Sequence, residues 1–114
     1  MNNLAQNIRA VLTELTAGYE AAVWTTLIQL YLDNAPQLIL QLQQANAQQN
    51  LQQILITAHS LKSSSATLGI CNMSEFCKTI EQLSPNLAKI NQHIQTINVE
   101  YDKTVVVLKT FLDH

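Results

Sequence analysis

Residues 87–112 read LAKINQHIQTINVEYDKTVVVLKTFL, and their apolar side chains set the fold class. Leu87, Ile90, Ile94, Ile97, Tyr101, Val105, Leu108 and Leu112 follow one another at intervals of three or four residues. That spacing keeps one face of a helix apolar and describes a seam packing at a shallow angle against other helices. The valines at 105–107 are poor helix formers, but the seam outweighs their propensity. The stretch predicts one long final helix.

Working back from it, Ser84-Pro85 predicts a stop and a start, with serine as cap and proline in the first turn. Asn72 and Glu75 predict the cap of a preceding helix that carries Met73, Phe76, Cys77, Ile80 and Leu83. Asn50 with Gln53 resembles another capping box. The helix it opens has Leu51, Ile54, Leu55, Ala58, Leu61, Ser65 and Leu68 on its core face and ends at Gly69. A longer helix from about Glu20 carries Val23, Leu27, Leu30, Tyr31, Leu38 and Leu42. Pro36 inside it predicts a kink, with a break into two helices as the alternative. A short helix from about Leu4 to Thr16 buries Leu4, Ile8, Val11, Leu12 and Leu15 and closes at Gly18. The expected fold is all-α: an antiparallel four-helix bundle preceded by a short N-terminal helix, one domain over residues 1–114.

Composition narrows the function. Charged residues make up only 12% of the chain and the formal net charge is −2, so no basic stripe exists to neutralise phosphates of a nucleic acid. No apolar run reaches the roughly 18 residues of a membrane span, and Met1-Asn2-Asn3 does not begin a signal peptide. A cytoplasmic chain, monomeric by default, is expected. Cys71 and Cys77 fit neither a redox pair nor a zinc site; they read as two buried thiols on different faces of one helix. His93 and His114 are isolated from other ligand types and read as surface histidines, so no metal site is expected.

The residues with chemical interest lie at 58–69, AHSLKSSSATLG. With Ala58 at the centre of the buried face and about 100° per residue, His59 falls near 100°, at the edge between core and solvent. Lys62 follows at i+3, close enough to meet an anion held on the imidazole. Ile56, Ser63 and Ala66 give the neighbouring surface an uncharged, small or apolar character. An imidazole that is neutral near pH 7 is a competent nucleophile, and a lysine beside it would stabilise a phosphoryl group in transit. Taken alone, such a pair more often marks a solvated helix edge, because i,i+3 His/Lys pairs are common.

The run His59-Ser60-Leu61-Lys62-Ser63-Ser64-Ser65-Ala66-Thr67-Leu68-Gly69 resembles the signature of histidine-containing phosphotransfer (HPt) domains. There a histidine is followed by x-Leu-Lys-Gly-Ser-Ser/Ala and later Leu-Gly. Leu27 to Leu38, with Asp33 and Pro36 among its leucines, is similar to the family's long helix. The resemblance implies that His59 accepts and donates a phosphoryl group between receiver aspartates of a two-component phosphorelay. It makes Lys62 the electrostatic neighbour, and Ile56, Ser63 and Ala66 part of the surface that docks a receiver domain. Leu61, Leu68 and Gly69 match positions that are structural in the family. The partners implied are response-regulator receivers or a hybrid sensor histidine kinase, of which the chain could itself be a segment. No cofactor of its own is implied, since Mg2+ and the aspartate chemistry belong to the receiver; the chain is a phosphoryl carrier without independent catalysis. Ser63 departs from the family's glycine. That departure motivates a second reading, a receiver-binding bundle without transfer. A third makes the chain a direct substrate of a kinase catalytic domain.

Overall fold

The structure, a computed structural model, describes residues 4–16 and 21–112. Six helices follow in order: α1 Leu4–Thr16, α2 Ala21–Ala47, α3 Leu51–Thr67, α4 Cys71–Leu83, α5 Leu87–Ile94 and α6 Ile97–Leu112. Three-residue connections separate α2 from α3, α3 from α4, and α4 from α5. Such short links oblige sequential helices to pack antiparallel. The result is a ring in which α2 meets α3, α3 meets α4, and α4 meets α5 and α6, which close back onto α2. Helix α1 packs across α2, α4 and α6.

Local chemistry fixes the turns. Asn50 caps α3, its Oδ1 accepting from the Gln53 amide at 3.1 Å. The reciprocal half of a capping box is absent, because Gln53 Nε2 donates to Thr57 Oγ1 instead. Past Leu68, Gly69 adopts φ +73°, the Ile70 amide returns to the Ser65 carbonyl and the Gly69 amide to Ala66. Those two bonds form a Schellman ending, which needs a residue tolerant of the left-handed region. A Cβ on Gly69 would also lie 2.7 Å from Val11 Cγ2 and 2.8 Å from the Asn7 carbonyl. Glycine therefore both ends α3 and lets α1 close over the turn.

The core threads all six helices: Ile8 and Leu12, Ile28 and Leu42, Ile54 and Leu61, Met73 and Ile80, Ile90 and Ile94, and Ile97 are fully buried. Between α2 and α3 the Tyr31 hydroxyl and Ser65 Oγ share a buried hydrogen bond of 2.8 Å. At the α1 end, the Arg9 guanidinium stands over the rings of Trp24 and Phe111, at 5.9 and 5.2 Å.

Several expectations are corrected. The single last helix is two, because the Thr96 amide and hydroxyl both bond the His93 carbonyl and tighten the chain at Gln95–Thr96. The break resets the phase of α6, so Thr104 and Phe111 are buried and Val105 is only half-buried. Thr104 tolerates burial because its hydroxyl lies 2.9 Å from Asn72 Nδ2. Asn72 is thus not a cap; it sits inside α4 and bridges to α6, where its amide also reaches Glu100 Oε2 at 2.8 Å. Likewise Ser84 ends α4, while Asn86 caps α5 by accepting from the Lys89 amide.

Helix α2 runs unbroken through Pro36, which excludes the two-helix alternative. Its buried stripe is Ile28, Tyr31, Ala35, Ile39, Leu42 and Ala45, leaving Val23 and Leu30 exposed. Tyr31 and Leu42 lie on it as expected, but the helix is apolar on most sides, so leucine spacing missed Ile28, Ala35, Ile39 and Ala45. Leu15 of α1 is exposed, and Gly18, Glu20 and His114 lie outside the described residues. Cys71 is exposed rather than buried, because it opens α4 at the surface, where its Sγ accepts from Asn7 Nδ2. Cys77 is buried as expected. His93 is not a free surface residue: its ring stacks on Phe76 at 3.9 Å, and its Nε2 donates to the Phe76 carbonyl.

Candidate functional site

Helix α3 presents its histidine because that residue falls at the edge of the buried face. With Ile54, Ala58, Leu61 and Ser65 held inside, His59 emerges on the flank toward α4, its side chain 65% exposed. Lys62 lies one turn on and is less exposed, its stem lying along the α3–α4 seam.

A third side chain completes the cluster. Glu81, on α4, places Oε1 in an ion pair with Lys62 Nζ and Oε2 at 3.4 Å from His59 Nδ1. The carboxyl is held below the usual carboxylate range, first by the Lys62 hydrogen bond and then by that of His59, against the opposing effect of burial. A carboxylate can only accept, so the contact, although long, favours the proton on Nδ1. The lone pair then resides on Nε2, the other ring nitrogen of an exposed side chain. A nucleophilic nitrogen, a cation and a carboxylate therefore stand together at one surface point.

Sequence reasoning located His59 and Lys62 but missed Glu81. The signal was present: Glu81 follows Cys77 by four residues and Ile80 by one, at the margin of the apolar stripe of α4. An acid at that margin is positioned to meet a lysine at the corresponding margin of the neighbouring helix. Only the register of the two helices, set by the Gly69 turn, reveals that they meet.

Ile56, Ser63 and Ala66 are all exposed on α3, and with His59 they fall at successive three- or four-residue steps along one face. Ile56 is 53% exposed, a large apolar side chain one turn from the imidazole. Ser63 projects no bulk over the site, and its carbonyl accepts from Thr67 Oγ1 at 2.8 Å. A shallow groove of about 200 Å³ between α2 and α3, lined by Leu27, Leu30, Tyr31 and Ser64 among others, opens on the other flank of α3 and excludes His59. Among the described residues, no three His, Cys, Asp or Glu side chains gather as a metal ligand set, and no helix is long and apolar enough to cross a membrane.

A family model described as Hpt domain matches residues 26–113. No curated protein and no solved structure matches the chain.

Proposed function

The chain belongs to the Hpt domain family, and we propose that His59 is the residue on which it carries a phosphoryl group between receiver aspartates. Members of the family serve histidine phosphotransfer in two-component phosphorelays, as phosphocarriers rather than catalysts. One observation carries the assignment of the site: an exposed imidazole with Nδ1 turned to Glu81 and Lys62 tethered beside it.

In the proposed step the Nε2 lone pair attacks the phosphorus of a receiver's aspartyl phosphate. The N–P bond forms as the P–O bond to the aspartate breaks, and its electron pair returns to the aspartate carboxylate. The Nδ1 proton stays on the ring, facing Glu81. Lys62 offers its charge to the phosphoryl oxygens as they cross. Transfer to a second receiver reverses these bond changes. Mg2+ is supplied by the receiver, and this chain contributes a positioned nucleophile. Ile56, Ser63 and Ala66 form the docking surface, where small side chains admit the receiver's active site and Ile56 supplies apolar contact.

The test is transfer from a panel of phosphorylated receiver domains with Mg2+, with His59→Gln as control. Phosphate that is labile in acid and stable in base should appear on the wild type and be absent from the control. Label on His59→Gln would refute the site. Receiver binding without label on the wild type would favour the docking module that Ser63 motivates.

A further inference from the structure

Glu81 has an awkward place for a residue beside a phosphoryl acceptor. Its carboxylate occupies Lys62, the one cation of the cluster, and lies 3.4 Å from the ring that would be phosphorylated. Resting on the relay reading of His59, we propose that Glu81 raises the free energy of the phosphorylated chain and so biases it to pass the group on rather than store it.

The argument is electrostatic. Without phosphate, the cluster is balanced: Lys62 is paired with Glu81, and the neutral imidazole directs Nδ1–H at the same carboxylate. Phosphorylation on Nε2 brings two negative charges onto the ring. Lys62 must then be shared between phosphoryl oxygens and Glu81, and the carboxylate repels the new dianion from across the ring. The hydrogen bond at Nδ1 acts on rate instead of on the plateau: it keeps the proton on the ring, so that the imidazole departs neutral when the N–P bond breaks, and Glu81→Gln retains it. Each effect lowers the stability or the persistence of phosphohistidine. None requires a change of backbone, because α3 and α4 hold the three side chains in place.

Replacing Glu81 by Gln keeps an acceptor for Nδ1–H and removes the charge. The measurement is the plateau distribution of phosphate between one phosphorylated receiver and this chain, for wild type, Glu81→Gln and Glu81→Asp. Phosphoramidate, which releases ammonia as its own P–N bond breaks, provides partner-free loading of the same histidine as a check. Glu81→Gln should shift the equilibrium about fivefold toward phosphohistidine, as expected for one like charge removed at a partly exposed site. The shift should shrink as salt is raised, because screening weakens a charge effect and not a packing effect. Glu81→Asp, which keeps the charge, should stay nearer the wild type. A wild type that takes up phosphate while Glu81→Gln leaves the plateau unmoved, or moves it toward the receiver, would overturn this inference and leave the relay reading intact. A wild type that stays unlabelled with both donors would sink the relay reading and this inference with it.

Discussion

At the scale of single residues, the site shows how one acid organises two neighbours. Glu81 gains from Lys62 and His59 only while it is ionised, and its folded-state pKa lies below the ordinary carboxylate range. A depressed carboxyl contributes stability that is present above its unfolded pKa and lost as pH falls through the folded value. The urea midpoints of wild type and Glu81→Gln should therefore differ most near neutrality and converge as pH drops below the carboxylate range. A gap that persists unchanged in acid would mean that Glu81 stabilises through shape rather than charge. The two thiols make a second contrast. Burial, with the charge of Glu81 adding to it, pushes the Cys77 thiol up to about 12, whereas Cys71 is exposed at the start of α4. Only the thiolate alkylates readily. Mass spectrometry after native iodoacetamide treatment should show one fast modification, on Cys71, and a second only on unfolding. Rapid labelling of Cys77 in the folded chain would contradict its burial.

Among helices, the sequence was most informative where one side chain settles a boundary by itself. Asn50 and Gly69 mark the ends of α3 because each has a conformational reason to be there, and the bounds of α1 were legible from spacing alone. Asn72 misled, since an asparagine followed by an acid three residues later looks the same whether it caps its own helix or reaches another. Its true partners, Thr104 and Glu100, are some thirty residues away and meet it only in the folded chain. The break at Gln95–Thr96 was hidden for a related reason: the apolar intervals continue across it without interruption. Gly69 allows a direct test of how sharply such a boundary is set. Gly69→Ala meets a positive φ, and its new Cβ presses on the backbone carbonyl of Asn7 as well as the side chain of Val11. Backbone cannot yield as a flexible side chain can, so the substitution should cost about 2 kcal/mol or more. A urea midpoint within error of the wild type would show that neither the positive φ nor the approach of α1 sets this boundary.

Over the whole molecule, the middle of α3 and the Gly69 end of the bundle have separate tasks. His59 lies ten residues before Gly69 on α3, about 15 Å along the helix axis. The Gly69 end is closed by α1, through Ile8 and Leu12 in the core and Arg9 over Trp24 and Phe111. The family match begins at residue 26, beyond α1, so the phosphotransfer signature itself does not include this closure. Stability and chemistry should then be separable. Ile8 is fully buried, and truncating it to Ala leaves a cavity that typically costs about 2–5 kcal/mol. The bonds that hold His59, Lys62 and Glu81 together run directly between α3 and α4. Ile8→Ala should therefore lower the urea midpoint clearly, yet take phosphate from a given receiver at the wild-type rate wherever it remains folded. A transfer rate that fell in step with stability would show that α1 reaches the site through the register of α3 against α4. The Gly69 turn would then set the spacing of His59, Lys62 and Glu81 as well as close the fold.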